Sequence, residues 1–239
     1  MKNDELLKFG ISHSCQVFQL TNNFESACGF ILKQENFSLF LTVDHLFKGI
    51  TEYAQGSIPI KINSNHKTLV LKKTFLPVGM SGNEILDIRY CELKPTDSPS
   101  SYVDGNEVKT IPFENVCDTN FAEEYYFVGR VCPKESYNSD EESFYRERRY
   151  IEYKPCFKEI TLSKENDLSL IFELPDYGEI VDMDYKGSSG TPIYNRDGQL
   201  VSMLIGKTSN RELLGLNLFN LWPFIFAAYS LTKRNVSIL

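Results

Sequence analysis

Histidine is scarce in this chain. His13, His45 and His66 are the three in 239 residues, they are scattered, and none stands near a cysteine at zinc-finger spacing, so no metal centre is expected. There is no C-x-x-C pair among the six cysteines, no H-E-x-x-H helix and no G-x-x-x-x-G-K-[ST] phosphate loop, so no cofactor is expected either. Basic charge is also short: 25 Lys and Arg against 32 Asp and Glu leave a formal net charge of −7. That balance argues against nucleic acid or an anionic membrane as a partner. The one basic cluster, RERR at 146–149, lies beside the acidic SDEES at 139–143 and reads as a solvated loop or hairpin. No apolar run reaches the roughly 20 residues of a membrane span. The longest, LFNLWPFIFAAYSL, carries Pro223 and reads as a buried terminal helix. The opening MKNDELLKFG has charges but no apolar run behind them, so no signal peptide is expected. A cytoplasmic location with free thiols follows as the expectation.

What is present is an ordinary globular composition, 42% hydrophobic and 24% charged, enough for one large domain or two smaller ones sharing a cleft. Short β-like runs dominate. CQVFQL (15–20), ACGFILK (27–33), FSLFLTV (37–43), SIPIKI (57–62), KTLVLKKTFL (67–76) and ILDIRYCEL (85–93) form one series. YYFVGRV (125–131), RYIEYKPCF (149–157), KEITL (158–162), LSLIFEL (168–174), GEIVDM (178–183), PIYN (192–195) and LVSMLIG (200–206) form a second. The Pro-, Ser- and Asp-rich stretch 93–107 between them reads as a connection. Helical periodicity is convincing at 218–230 and weak at 2–9. The pattern predicts an all-β chain, and two series with a linker suggest two barrels.

Three residues stand out for their chemistry. Ser189 lies in G-S-S-G-T-P at 187–192, where Gly187 permits a sharp turn and the N–H groups of Gly187 and Ser189 can converge on one point. A serine hydroxyl needs both a base and donors for the oxyanion before it becomes a useful nucleophile; a plain Gly-Ser hairpin is the alternative. His45 closes the apolar run FSLFLTVDHLF and is placed to project from a barrel rim, unless it is simply a satisfied structural histidine. Asp87 is an acid inside the apolar stretch NEILDIRYCEL. If buried it needs a donor, which an imidazole N–H supplies, and otherwise it is an edge residue facing solvent.

These segments together resemble the chymotrypsin-like (trypsin-fold) serine peptidases, of the non-secreted bacterial type. L-T-V-D-H at 41–45 is similar to their L-T-A-A-H, D-I-R-Y-C-E-L at 87–93 to D-I-A-L-L-K-L, and G-S-S-G-T-P to G-D-S-G-G-P. A-C-G-F-I-L, F-V-G-R and R-D-G-Q-L-V-S-M-L-I-G are also similar, and the order His, Asp, Ser is that family's order. The resemblance implies an all-β fold of two packed six-stranded antiparallel β-barrels with a C-terminal helix. Residues 1–100 would form the barrel carrying His45 and Asp87, and residues 101–239 the barrel carrying Ser189. It implies a serine endopeptidase acting on protein or peptide substrates through an acyl-enzyme. His45 would be the general base, Asp87 its orienting partner, Ser189 the nucleophile, and the Gly187 and Ser189 amides the oxyanion hole. By the same analogy Met183, Asp184, Ile205, Gly206, Lys207 and Gly215 would wall the substrate pocket.

Departures from the family pattern are informative. Ser188 replaces the aspartate that receives a new N-terminus on zymogen activation, Asp44 replaces a small residue beside His45, and Leu46 replaces a disulfide cysteine. Control by a regulatory protein partner or by narrow specificity is expected instead, as in a bacterial stress or defence module. The competing expectation is an inactive binding or scaffold protein on the same fold.

Overall fold

A computed structural model of the chain describes residues 1–19, 26–47, 58–62, 68–71, 86–94, 99, 106–131, 154–175 and 187–236. The expected boundary at residue 100, the strand-like run 178–183 and the candidate pocket residues Met183 and Asp184 lie outside them.

Helix α1 (Asn3–Ser12) precedes a sheet of β1 (Cys15–Gln19), β2 (Ser26–Gln34), β3 (Phe37–Thr42), β4 (Ile58–Ile62), β5 (Thr68–Leu71), β6 (Arg89–Leu93) and the two-residue β7 (Ile111–Pro112). The strand order is β5-β4-β1-β2-β3-β6, antiparallel throughout. One edge of β2 is shared: β1 pairs with its first residues, and β7 runs parallel to Leu32 and Lys33 further along. The run 37–43 reads as continuous hydrophobic sequence because it is covered on both faces: Leu39, Phe40, Leu41 and Val43 are all buried.

The second body is a closed barrel in the order β10-β13-β12-β11-β8-β9. Its strands are β8 (Glu124–Val131), β9 (Lys154–Glu165), β10 (Ser169–Glu173), β11 (Pro192–Asn195), β12 (Leu200–Lys207) and β13 (Glu212–Asn217). Closure removes exposed strand edges. Alternation is clean in β10, where Leu170 and Phe172 point into the barrel and Glu173 points out. Helix α2 (Leu218–Val236) follows β13 directly. It lays Leu221, Trp222, Ile225 and Tyr229 inward, with Trp222 stacked on Phe113 at 4.4 Å and Tyr229 on Phe37 at 4.5 Å. Pro223 falls on its exposed side. Among the described residues no helix is long and apolar enough to cross a membrane.

Two hydrophobic clusters result. One fills the second barrel, with Phe127, Ile160, Phe172, Ile193 and Val201 among its members. The other is continuous from the first sheet through α2 to Tyr126, Tyr194, Met203 and Leu216 on the barrel's outer face. Helix α1 joins it through Leu6, and Phe9 meets Tyr194 edge-on at 5.2 Å.

Candidate active site

The first sheet brings His45 and Asp87 together by register. Thr42, the last residue of β3, pairs with Arg89, the first of β6. His45 is three residues beyond the one and Asp87 two residues before the other, so both emerge at the same sheet end. Beyond Thr42 the chain enters a 3-10 turn that begins at His45. Asp87 sits at the apex of a tight turn closed by the Ile88 N–H donating to Leu86 O at 2.7 Å, with Ile88 wholly buried as its anchor. The carboxylate then meets the histidine twice. Oδ1 accepts the His45 backbone N–H at 2.7 Å, and Oδ2 accepts from ring Nδ1 at 2.6 Å. With Nδ1 carrying the donated proton, the neutral imidazole holds an unprotonated Nε2. Side-chain exposures of 35% and 27% leave the pair open enough for a reactant to reach. Asp44 does not face solvent: it is ion-paired with Arg89 and both are largely buried. That pair ties the end of β3 to the start of β6 beside His45 and Asp87.

The second barrel supplies the serine turn. Gly187 and Gly190 adopt φ of 91° and 87°, in the left-handed region where glycine is favoured. Thr191 N–H donates to Ser188 O at 3.0 Å and closes the turn just before Pro192 opens β11. Ser188 is fully buried, whereas Ser189 is partly exposed. Ser189 Oγ donates to Ile205 O at 3.4 Å. Ile205 is the extra residue in a bulge of β12, where the register against β13 shifts between Leu204 and Gly206, and the bulge swings its carbonyl toward the serine. Among the described residues no hydrogen bond joins Ser189 to His45, and the backbone N–H groups of Gly187 and Ser189 have no protein acceptor.

The remaining expected pocket residues divide. Ile205 and Gly206 are half-buried, and a side chain built on Gly206 would meet open space. Lys207 ends β12 and is exposed. Gly215 is buried, and a Cβ there would come within 2.2 Å of Ser202 Oγ. A cavity of about 620 Å³ lies elsewhere, lined by Ile31, Lys33, Phe37, Ser38, Leu93 and Val108 at the far end of the first sheet. Two contributors escape sequence reasoning. Cys28 bonds directly to the serine turn and Thr42 bonds to Cys28, and each reads in the sequence as an ordinary strand residue. Cys15, Cys28, Cys91 and Cys117 form no disulfide. Among the described residues no cluster of His, Cys, Asp and Glu is arranged to hold a metal ion.

No protein-family model matches the sequence, and no curated protein matches it. Solved structures do match the fold. The serine endoprotease from Yersinia pestis is similar with a TM-score of 0.56 and 9% identity, over 95% of this chain and 66% of that one. Kallikrein-related peptidase 10 is similar with a TM-score of 0.56 and 10% identity, over 92% and 96%. A Glu endopeptidase is similar with a TM-score of 0.52 and 12% identity, over 90% of both chains. These are trypsin- and chymotrypsin-like serine proteases, and the chain has the chymotrypsin-like fold.

Proposed function

We propose that this chain is a serine endopeptidase that cleaves protein or peptide substrates through an acyl-enzyme, with His45, Asp87 and Ser189 as its catalytic residues. The observation that supports the reading most strongly is the two-point bond from Asp87 to His45, which leaves Nε2 free to accept a proton. A carboxylate used this way holds the imidazole in one tautomer and stabilises the cation that forms.

The chemistry proceeds in balanced steps. Ser189 Oγ turns from Ile205 O to His45, as hydroxyls in unliganded sites commonly must. Its proton passes to Nε2 as the oxygen bonds to the substrate carbonyl carbon. The resulting oxyanion is received by the N–H groups of Gly187 and Ser189, which have no other acceptor among the described residues. His45 then protonates the leaving amine as the peptide bond breaks. Water enters, gives its proton to His45 and attacks the ester, and the released Ser189 takes the proton back. The steps need no cofactor. Action in the cytoplasm under a regulatory partner or a narrow specificity belongs to the same proposal.

The test is labelling with a fluorophosphonate probe, read by intact mass and peptide mapping. The expected result is one adduct, on Ser189, which Ser189→Ala abolishes. A wild-type chain that takes up no probe, or a Ser189→Ala chain that labels equally, overturns the assignment in favour of an inactive protein on this fold.

A further inference from the structure

The serine turn belongs to the second barrel by sequence, yet one residue of the first sheet grips most of it. Cys28, on β2, is 1% exposed. Its backbone N–H donates to Ser189 O at 2.6 Å, and its thiol donates to Gly187 O at 3.3 Å. Its own carbonyl accepts Thr42 Oγ1–H at 2.8 Å and lies so near Gly190 that a Cβ there would come within 2.0 Å of it. Residue 28 therefore engages Gly187, Ser189 and Gly190, three of the four residues of G-S-S-G.

The main-chain contacts are open to any residue at this position. The thiol contact is not. Gly187 has a positive φ, so its peptide planes are set by what holds them, and its carbonyl belongs to the plane directly after the Gly187 N–H. A donor on that carbonyl resists rotation of the glycine, and rotation would carry its amide away from the oxyanion. A thiol is a weak donor, but here it is buried beside a carbonyl with no water to compete for it.

We propose that Cys28 is a positioning residue for the oxyanion hole: its thiol proton, held by Gly187 O, keeps the Gly187 amide aimed at the oxyanion. This rests on the serine-peptidase reading. It assigns the cysteine a catalytic consequence at one remove from substrate, distinct from filling space in the core.

The test compares Cys28→Ala and Cys28→Val, which remove the donor with smaller and similar volume, with Cys28→Ser, which keeps a donor. Each full-length variant is measured for its rate of fluorophosphonate acylation, for kcat and KM on a peptide the wild type cleaves, and for Tm. Because the oxyanion amide itself is retained, the expected loss is smaller than for deleting a hole donor. Acylation and kcat should fall about tenfold in the Ala and Val variants with KM within about twofold, and recover to within about threefold of wild type in the Ser variant. An unchanged rate in a folded Ala or Val variant, or a Ser variant as slow as they are, overturns the proposal. A second readout separates it from the peptidase reading. In a uniformly labelled chain the Gly187 carbonyl carbon and Ser188 amide resonances should move in Cys28→Val and stay close to wild type in Cys28→Ser. If the wild type takes up no probe, the peptidase reading falls and these resonances alone decide whether the thiol holds the turn. Shifts that are equal in both variants, or absent in both, exclude that it does.

Discussion

Individual residues carry tight geometric demands around the serine turn. At Gly190, φ of 87° and the approach to Cys28 O both forbid a side chain. Gly190→Ala should therefore destabilise the fold by about 3 kcal/mol or more, seen as a fall of roughly 6–12 °C in Tm. A variant that melts with the wild type would show that the turn and β2 do not make the contact described. The same scale explains which candidate site residues can be recognised in sequence. His45, Asp87 and Ser189 announce themselves as polar groups in apolar or turn-forming surroundings, where a bland role requires explanation. Cys28 and Thr42 do not, since a small buried cysteine or threonine in a strand is the normal case and only the serine turn packed against it gives it meaning. Asp44 reads as an extra carboxylate beside the histidine, and only the ladder pairing of Thr42 with Arg89 reveals its partner.

At the scale of elements, α1 is sensitive to pH. The residue that caps its C-terminus, His13, is buried, meets the Phe9 ring at 4.1 Å, and donates from Nδ1 to Phe9 O at 2.7 Å. Burial, the largest influence, lowers its pKa below the ordinary 6.5; the bond to Phe9 opposes this and nearby Lys109 adds to it. Between that lowered value and 6.5 the unfolded chain binds a proton that the folded chain does not, so stability falls as pH drops through this window and is fully retained above it. Melting curves at pH 7.5 and 5.5 should show a smaller acid-induced drop in Tm for His13→Phe than for the wild type. Equal drops would remove His13 as the cause. Element types were largely legible in sequence, and the errors have physical reasons. The runs 149–157 and 158–162 read as two segments, whereas the described part is a single twelve-residue strand, β9, which pairs with β8 without interruption from Lys154 to Thr161. Strand β13 escapes because Gly215 sits at its centre. Glycine is a poor strand former in isolation, but here the barrel requires it because Ser202 occupies the space a side chain would fill. The C-terminal helix continues to Val236, past the apolar periodicity that marks it at 218–230.

For the molecule as a whole, the decisive feature is the cluster that runs without interruption from the first sheet across α2 to the outer face of the second barrel. A core shared this way makes neither half's buried surface complete without the other. Urea unfolding should appear as one transition, with the fluorescence of Trp222, the single tryptophan, and far-UV circular dichroism falling on the same curve. Two separated transitions would mean that the halves fold as independent units. The grip of β2 on the serine turn has a further consequence in time. A ribosome delivers Cys28 well before it delivers Ser189, so the surface that shapes the turn has already been synthesised when the turn emerges. A chain that has made only the first sheet thus presents Cys28 with nothing to hold, and the turn around Ser189 takes its shape against a strand that was made long before it.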